Sequence, residues 1–218
     1  MDMHSVLLYG CAAVVVVSGI QLLATLAAKG CEEMPPPLAL LRSWRRPVPR
    51  AAAGLVAVMA VLGAAQEAFP GMVDALERRP HGGWWRVGSA LLVQSSGWSQ
   101  LLINLAALAV VAPVAERQFG SWRMLMVFAT SGVAAQAVSM ASWSPQGGGD
   151  SVAICGLVGA LATCYAVRGS AGALRMAALI PAAGLVLCLL ANNHGVGLLV
   201  GCVLGVELTT PARPPLAA

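Results

Sequence analysis

Charged residues are scarce in this sequence. Asp, Glu, Lys and Arg together make up 10% of its 218 residues, whereas a soluble globular domain carries about 25%. Hydrophobic residues make up 58%, and the mean hydropathy is +0.78. We therefore predict an integral, multi-pass membrane protein whose main surroundings are the lipid bilayer. The net charge of +4 is typical of basic membrane loops, so no nucleic-acid partner is expected.

Histidine is rarer still, with three residues in the chain. None of the six cysteines belongs to a C-x-x-C pair, and most fall inside apolar stretches; they are Cys11, Cys31, Cys155, Cys164, Cys188 and Cys202. Metal sites and disulfide frameworks need clusters of such residues. The sequence argues against both, and apolar packing is the expected role of the cysteines.

Long apolar runs are abundant. About 20 apolar residues cross the hydrocarbon core as a helix, and seven segments approach or reach that length: 6–28, 51–66, 97–114, 122–142, 151–167, 172–191 and 194–209. Each is predicted to be a helix, because an open strand edge is not tolerated in lipid. The predicted fold class is an all-α membrane protein. Its parts are an N-terminal transmembrane helix (1–28), a basic Pro-rich linker (29–50), a six-helix domain (51–209) and an irregular tail (210–218).

The first segment is predicted to be a retained helix. The motif LATLAA at 22–27 resembles a signal-peptidase site, but the apolar run before it is long and has no basic segment ahead of it. With this helix running inward, ten Lys and Arg lie in inner segments and three in outer segments, as the positive-inside rule expects. In that orientation Ser151 and His194 both lie near the outer side of the membrane, at the starts of the fifth and seventh helices.

The stretch GGGDSVAICGLVGAL at 147–161 has two interpretations. Asp150 and Ser151 are typical N-cap residues, but Ser151 is also a candidate nucleophile if a base lies beside it. His194 is the candidate base, because small residues at helical spacing favour close packing of the two helices. The predicted contact faces are Ser151, Cys155, Gly159 and Thr163 on the fifth helix and His194, Gly197, Gly201 and Gly205 on the seventh. Asn104, about two turns into the third helix, is a candidate donor to an oxyanion.

Several motifs in residues 82–205 resemble those of the rhomboid family of intramembrane serine proteases. GGWWRVGSALL resembles the Trp-Arg segment of the family's first loop, GWSQLLINLAAL its second-helix block, ERQFGSWRMLMVFATSG the link into its third helix, GDSVAICGLVGA its nucleophile block and HGVGLLVGCVLG its last-helix histidine block. The resemblance implies a six-helix rhomboid-like bundle after one extra helix. It also implies Ser151 as nucleophile, His194 as base and Asn104 in the oxyanion hole, with no cofactor.

The sequence departs from the family in two places. Val152 stands where the family has a glycine after the nucleophile. Gln100 replaces one histidine ahead of Asn104, with Gln94 or Ser95 at the place of another. Gln100 still offers an amide donor for an oxyanion.

Two functions therefore stay open. The favoured one is a Ser-His intramembrane protease acting on transmembrane segments of protein substrates. The alternative is an inert rhomboid-like accessory subunit of a larger membrane complex, for example of respiratory type. A transporter is disfavoured, because few ionisable residues lie in the apolar segments.

The helix count bears on the location. One helix ahead of six is similar to the mitochondrial rhomboids of the presenilin-associated type, which implies the inner mitochondrial membrane. A chloroplast or bacterial membrane stays open on the residues alone.

Overall fold

The protein is described by a computed structural model for residues 3–28, 40, 43–45, 47–69, 71–168 and 171–209. Nine α-helices are defined within these ranges: α1 (Met3–Ala28), α2 (Arg50–Ala68), α3 (Gly71–Leu76), α4 (Arg86–Ser89), α5 (Trp98–Phe119), α6 (Ser121–Val138), α7 (Ser151–Arg168), α8 (Ala171–Leu189) and α9 (Asn193–Thr209). A 3-10 turn, Ala90–Leu92, follows α4, and a π-helical turn, Ser139–Trp143, extends α6. Most of the predicted linker 29–50 and all of the predicted tail 210–218 lie outside the described residues.

The prediction of an all-α, multi-pass membrane protein is confirmed. Among the described residues, five helices are long and apolar enough to cross a membrane: Val6–Leu26, Arg50–Ala68, Trp98–Phe119, Ser121–Trp143 and Ser151–Arg168. Two shorter apolar helices, Ala177–Leu189 and Asn193–Thr209, fall in the remaining predicted segments. In the part of the chain that the structure describes, the only β-type pairing is an isolated bridge between Arg78 and Gly147, outside the apolar helices.

The connection between α5 and α6 is shorter than the sequence indicates. The predicted segments 97–114 and 122–142 leave residues 115–121 as a link, but α5 and α6 extend into this stretch from both sides. Gly120 turns the chain with a φ of 84°, which glycine adopts without a Cβ clash. Glu116 is not a loop charge, because its carboxylate accepts the N–H groups of Ala51 at 3.2 Å and Ala52 at 2.7 Å. It thereby satisfies free N–H groups at the start of α2.

Helix α7 lies at the centre of the bundle. It packs most extensively against α9, and also against α6, α8, α5 and α1, and most of its residues are buried. Glycines let α7 and α9 come close: a methyl group on Gly197 would overlap the carbonyl of Val152, and one on Gly201 would overlap that of Gly156. Small residues permit such backbone contact between membrane helices. The two helix starts are therefore held in one fixed relation.

The predicted contact between the fifth and seventh segments is confirmed, with one shift along α7. Gly159 packs on the backbone of α9 at Leu198, as predicted. Cys155 instead faces a cavity that α1 lines, and Gly156 meets α9 in its place. The reason is geometric, because residues at steps of four drift around a helix of 3.6 residues per turn.

Candidate active site

The starts of α7 and α9 bring the two predicted catalytic residues together. Ser151 is the first residue of α7 and His194 lies in the first turn of α9, and Ser151 Oγ is 2.9 Å from His194 Nε2. Glycines shape the loop ahead of Ser151, since Gly147 and Gly149 have φ values of 128° and 152° that residues with a Cβ rarely adopt. At this distance the imidazole can take the hydroxyl proton, as activation of a serine nucleophile requires.

Asn192 is a third member of this arrangement that was not among the residues predicted from the sequence. Its Oδ1 accepts the backbone N–H of His194 at 3.0 Å and lies 2.8 Å from His194 Nδ1. An amide oxygen can only accept a hydrogen bond, so Nδ1 carries the ring proton and Nε2 presents its lone pair to Ser151. A usable signal was present in ANNHG, because an Asn just before a helix is a typical N-cap.

A polar cavity of about 180 Å³ opens beside the Ser151–His194 pair. Its wall includes Arg78, Gln100, Gln136 and the glycine loop 147–149. A water molecule takes about 30 Å³ of liquid volume, so the cavity has room for the water that hydrolysis consumes. Val152 also lines the cavity and is itself buried. The branched side chain that replaces the family's glycine thus forms part of the wall beside the nucleophile.

Arg78 brings a positive charge to the polar cavity. The residue is 5% exposed, and it donates through Nε to the Ser144 carbonyl at 2.9 Å and through Nη2 to the Gln146 carbonyl at 3.4 Å. Nη1 is buried and has no hydrogen-bond partner among the described residues. Burial lowers the pKa of the Arg78 guanidinium and neighbouring Glu77 raises it, but arginine stays charged at neutral pH. In the sequence, Arg78 is one of the three basic residues that are predicted to lie in outer segments.

Asn104, a predicted oxyanion donor, donates its hydrogen bonds to other acceptors in the structure. Its Nδ2 donates to Asp150 Oδ1 and to Gln94 Oε1, both at 2.8 Å. Gln94 Nε2 donates to the same Asp150 oxygen at 2.7 Å, and all three side chains are buried. Asn104 and Ser151 line the same apolar cavity, but the amide hydrogens of Asn104 are already engaged.

Gln100, the other predicted donor, lies in the wall of the polar cavity. Its Nε2 donates to the Gly148 carbonyl at 3.0 Å, and its Oε1 accepts the Ser96 N–H at 2.8 Å. It therefore braces the glycine loop. The structure brings Ser151 into hydrogen-bond distance of His194. Gln100 and Asn104 lie nearby, but their amide groups are hydrogen-bonded to other residues.

Asp150 stands directly before the nucleophile and is 1% exposed. Its Oδ1 accepts the two amide hydrogen bonds, and its Oδ2 has no partner in the described part of the chain. Burial raises the pKa of the Asp150 carboxyl, and the hydrogen bonds from Gln94 and Asn104 oppose that rise. At the start of α7, the backbone carbonyl of Asp150 accepts the N–H groups of Ala153 and Ile154. The Asp150 carboxylate thus accepts hydrogen bonds from amide side chains. The sequence suggests a different role for it, as the N-cap of the helix.

Cysteine thiols are free wherever the structure describes them, namely at Cys11, Cys155, Cys164, Cys188 and Cys202. No group of three or more His, Cys, Asp or Glu that could hold a metal ion occurs among the described residues.

Comparison with known proteins identifies one family. The family model of the Rhomboid domain matches residues 81–210, more than half of the chain, and this match contains Ser151, Asn192 and His194. Helices α1, α2 and α3 lie outside it. No curated protein matches the chain. A match over this share of the chain establishes the family.

Proposed function

We propose that this chain, which belongs to the rhomboid family, is an intramembrane serine protease that cleaves transmembrane segments of other proteins near the outer side of the membrane. The observation that carries the proposal is the row Ser151–His194–Asn192, with 2.9 Å between Ser Oγ and His Nε2 and 2.8 Å between His Nδ1 and Asn Oδ1. A hydroxyl, a base and a group that orients the base are the parts that serine catalysis uses.

The reaction proceeds in two halves. Ser151 Oγ attacks the carbonyl carbon of the scissile peptide bond while His194 Nε2 takes the hydroxyl proton. The C–N bond of the tetrahedral intermediate then breaks, His194 gives the proton to the leaving amine, and an ester on Ser151 remains. In the second half, water from the polar cavity attacks this ester and gives a proton to His194. The carboxylic acid leaves as His194 returns that proton to Ser151.

Asn192 supports both halves by holding the imidazole of His194. Its amide oxygen accepts the Nδ1 proton, which keeps Nε2 free to act as the base. The same hydrogen bond persists when His194 becomes an imidazolium. Because an amide carries no charge, Asn192 contributes orientation more than electrostatic stabilisation.

The oxyanion needs donors, and the start of α7 supplies them. The first turn of a helix leaves N–H groups without intrahelical acceptors, and Ser151 and Val152 are the first residues of α7. The helix dipole adds positive potential there. Arg78 adds a full charge from the cavity wall. We assign Asn104 and Gln100 a secondary part, since their side chains have to turn away from their present acceptors to donate to the oxyanion.

A fluorophosphonate probe tests the proposal, because it reacts with an activated serine. The full-length protein in lipid nanodiscs should give an adduct on Ser151, and Ser151→Ala should give none. Ser142→Ala, which changes an exposed serine bonded only to its own helix, is the matched control and should label like the wild type. A folded protein that takes up no probe would overturn the proposal.

An inert accessory subunit of a larger membrane complex is the second candidate. It is favoured by the engagement of the Asn104 amide with the Asp150 carboxylate and by the buried Val152 side chain beside the nucleophile. Purification from native membranes distinguishes the two. Co-purifying subunits at fixed stoichiometry together with no Ser151 adduct support the inert role, whereas a labelled protein without partners contradicts it.

The location forms part of the proposal. The apolar helix α1 precedes the residues that match the Rhomboid domain, an arrangement similar to that of the mitochondrial rhomboids, and this likeness supports placement in the inner mitochondrial membrane. Fractionation of cells followed by immunoblotting checks this, and enrichment in another membrane would exclude it.

A further inference from the structure

The polar cavity beside Ser151 contains a positive charge without a matching negative one. Arg78 lines it, and no acidic side chain of the described residues shares its wall. The other polar side chains of the wall are neutral Ser, Gln and Asn residues and His194. Burying a charge is costly unless an opposite charge and hydrogen bonds compensate it. The hydrogen bonds of Arg78 to loop carbonyls supply part of that compensation, and an anion in the cavity would supply the rest.

Two acidic residues that adjoin the cavity wall in sequence have other partners. Glu77 Oε1 accepts Arg79 Nε at 3.3 Å and Gln146 Nε2 at 3.1 Å. The Asp150 carboxylate accepts two amide hydrogen bonds. Glu77 attracts the charge of Arg78, but within the described part of the chain neither carboxylate forms a salt bridge with it. The guanidinium therefore lacks an anion in direct contact.

The guanidinium of Arg78 is also held in place. The backbone of Arg78 pairs with that of Gly147 in both directions, at 3.1 and 3.2 Å. Nε and Nη2 donate to the carbonyls of Ser144 and Gln146, while Nη1 is buried without a partner among the described residues. Gly147 permits this approach, since a Cβ there would lie 3.3 Å from Nη2. A side chain that is already ordered loses little entropy when it binds a ligand, so Nη1 is a preorganised donor.

We propose that Arg78 binds the carboxylate of a substrate Asp or Glu, namely the residue whose carbonyl carbon Ser151 attacks, and so selects substrates with an acidic residue at that position. The inference rests on the proposed protease activity. That residue stays bonded to Ser151 after the amine leaves, so its side chain lies beside the polar cavity. Hydrogen bonds between a guanidinium and a carboxylate are stronger than neutral ones. The cavity of about 180 Å³ has room for a carboxylate beside water, which takes about 30 Å³ per molecule.

The acidic side chain has a second, opposite effect. In the proposed reaction the charge of Arg78 also stabilises the oxyanion, and a carboxylate paired with Arg78 screens that charge. An acidic substrate therefore binds more tightly, but its bond to Ser151 forms no faster. This division between binding and chemistry is specific to a carboxylate on Arg78.

Two pairs of peptidyl diphenyl phosphonates test the proposal. The residue that carries the phosphonate is Asp or its isosteric neutral match Asn in one pair, and Glu or Gln in the other. Labelling of Ser151 is measured in the full-length protein in lipid nanodiscs at several probe concentrations. This gives KI, the concentration at half the maximal rate, and kinact, the maximal rate. In at least one pair the acidic probe should have a KI lower by about tenfold or more, with a kinact no higher than that of its neutral match.

Variants of two adjacent arginines show whether Arg78 causes the preference. Arg78→Gln should give equal KI values for the acidic and the neutral probe, and Arg78→Lys should keep part of the difference. Arg79→Gln is the matched control, because Arg79 pairs with Asp74 at the surface, and should keep the wild-type preference. Each variant is judged by the ratio of two probes on the same protein, so a general loss of rate or stability cancels.

The outcomes separate the inference from the proposed activity. Equal KI values within both pairs in the wild type overturn the inference, and so does a preference that survives in Arg78→Gln. A protein that reacts with a fluorophosphonate but with none of the peptide probes also contradicts it. Failure of every probe, the fluorophosphonate included, overturns the proposed activity instead.

Discussion

Helix α7 has two neighbours of opposite character. Toward α9, backbone meets backbone at Gly197 and Gly201, and no side chain could be added without overlap. Toward α1, the contacts are few and a cavity of about 380 Å³ lies between parts of the two helices. The tight side fixes the 2.9 Å contact between Ser151 and His194, and the loose side leaves a route to it. Helix α7 thus holds the catalytic pair rigid on one face and leaves access to it adjustable on another.

The largest effect is expected from filling the tight side. Gly201→Leu forces a side chain into the backbone of α7, and such overpacking should cost about 3 kcal/mol and separate Ser151 from His194. Gly54→Leu on α2 is the matched control, since a Cβ added there meets nothing within 4 Å. Thermal unfolding in detergent measures both. Equal melting temperatures for the two variants would show that the α7–α9 contact is not the rigid one.

The second-largest effect is expected from the charge of Arg78, which lies in the wall of the polar cavity beside Ser151. Arg78→Gln should slow fluorophosphonate labelling of Ser151 by about tenfold or more, because removal of an oxyanion-stabilising group commonly costs about a hundredfold or more. Arg79→Gln is the matched control, since Arg79 pairs with Asp74 at the surface. Arg78→Lys should recover part of the rate. A slower rate that merely follows a lower melting temperature would assign Arg78 a purely structural part.

A smaller effect is expected from Asn192, whose side-chain oxygen accepts the Nδ1 proton of His194. Asn192→Ala frees the imidazole and should slow Ser151 labelling by about tenfold, because the base loses the partner that fixes its tautomer. Asn192→Asp keeps an acceptor for Nδ1 and should restore the rate. Measuring the rate against pH separates the two variants, since the carboxylate favours the imidazolium and shifts the profile upward in pH. Identical profiles would exclude a role for Asn192 in orienting His194.

The smallest effect tests the buried network at the start of α7. Because burial raises the pKa of Asp150, the folded state holds its proton more tightly than the unfolded chain. That stability is present below the ordinary Asp pKa of about 3.9 and is lost as the pH rises through the raised value. Asp150→Asn should remove this loss, so the melting temperature of the variant relative to wild type should increase between about pH 4 and pH 7. A constant difference would contradict the raised pKa.

Much of the tight side could be predicted from the sequence. The apolar segments gave the helix order, and the glycine repeats after His194 indicated its packing on the helix of Ser151. The turn at Gly120 could not be predicted, because the charge of Glu116 resembles a loop charge until its α2 partners are known. Likewise, the amide of Asn104 donates a hydrogen bond to Asp150, 46 residues away along the chain. Sequence spacing does not reveal such side-chain pairs.

The packing of α1 against α7 was much harder to predict from the sequence. The sequence identified α1 as a membrane helix, but nothing in its apolar pattern indicates which helices it contacts. Uniformly apolar helices present no distinct face, so their packing depends on shape alone. The cavity between Cys155 and α1 therefore emerged only from the structure.

The central claim is that His194, held in place by the tight side, activates Ser151. Its most direct test is the labelling rate of Ser151 in nanodiscs, with the adduct located by peptide mass spectrometry, in the wild type and in His194→Ala. We expect an adduct confined to Ser151 in the wild type and a rate at least about a hundredfold lower in His194→Ala. Adducts spread over several serines, or an unchanged rate in His194→Ala, would contradict it.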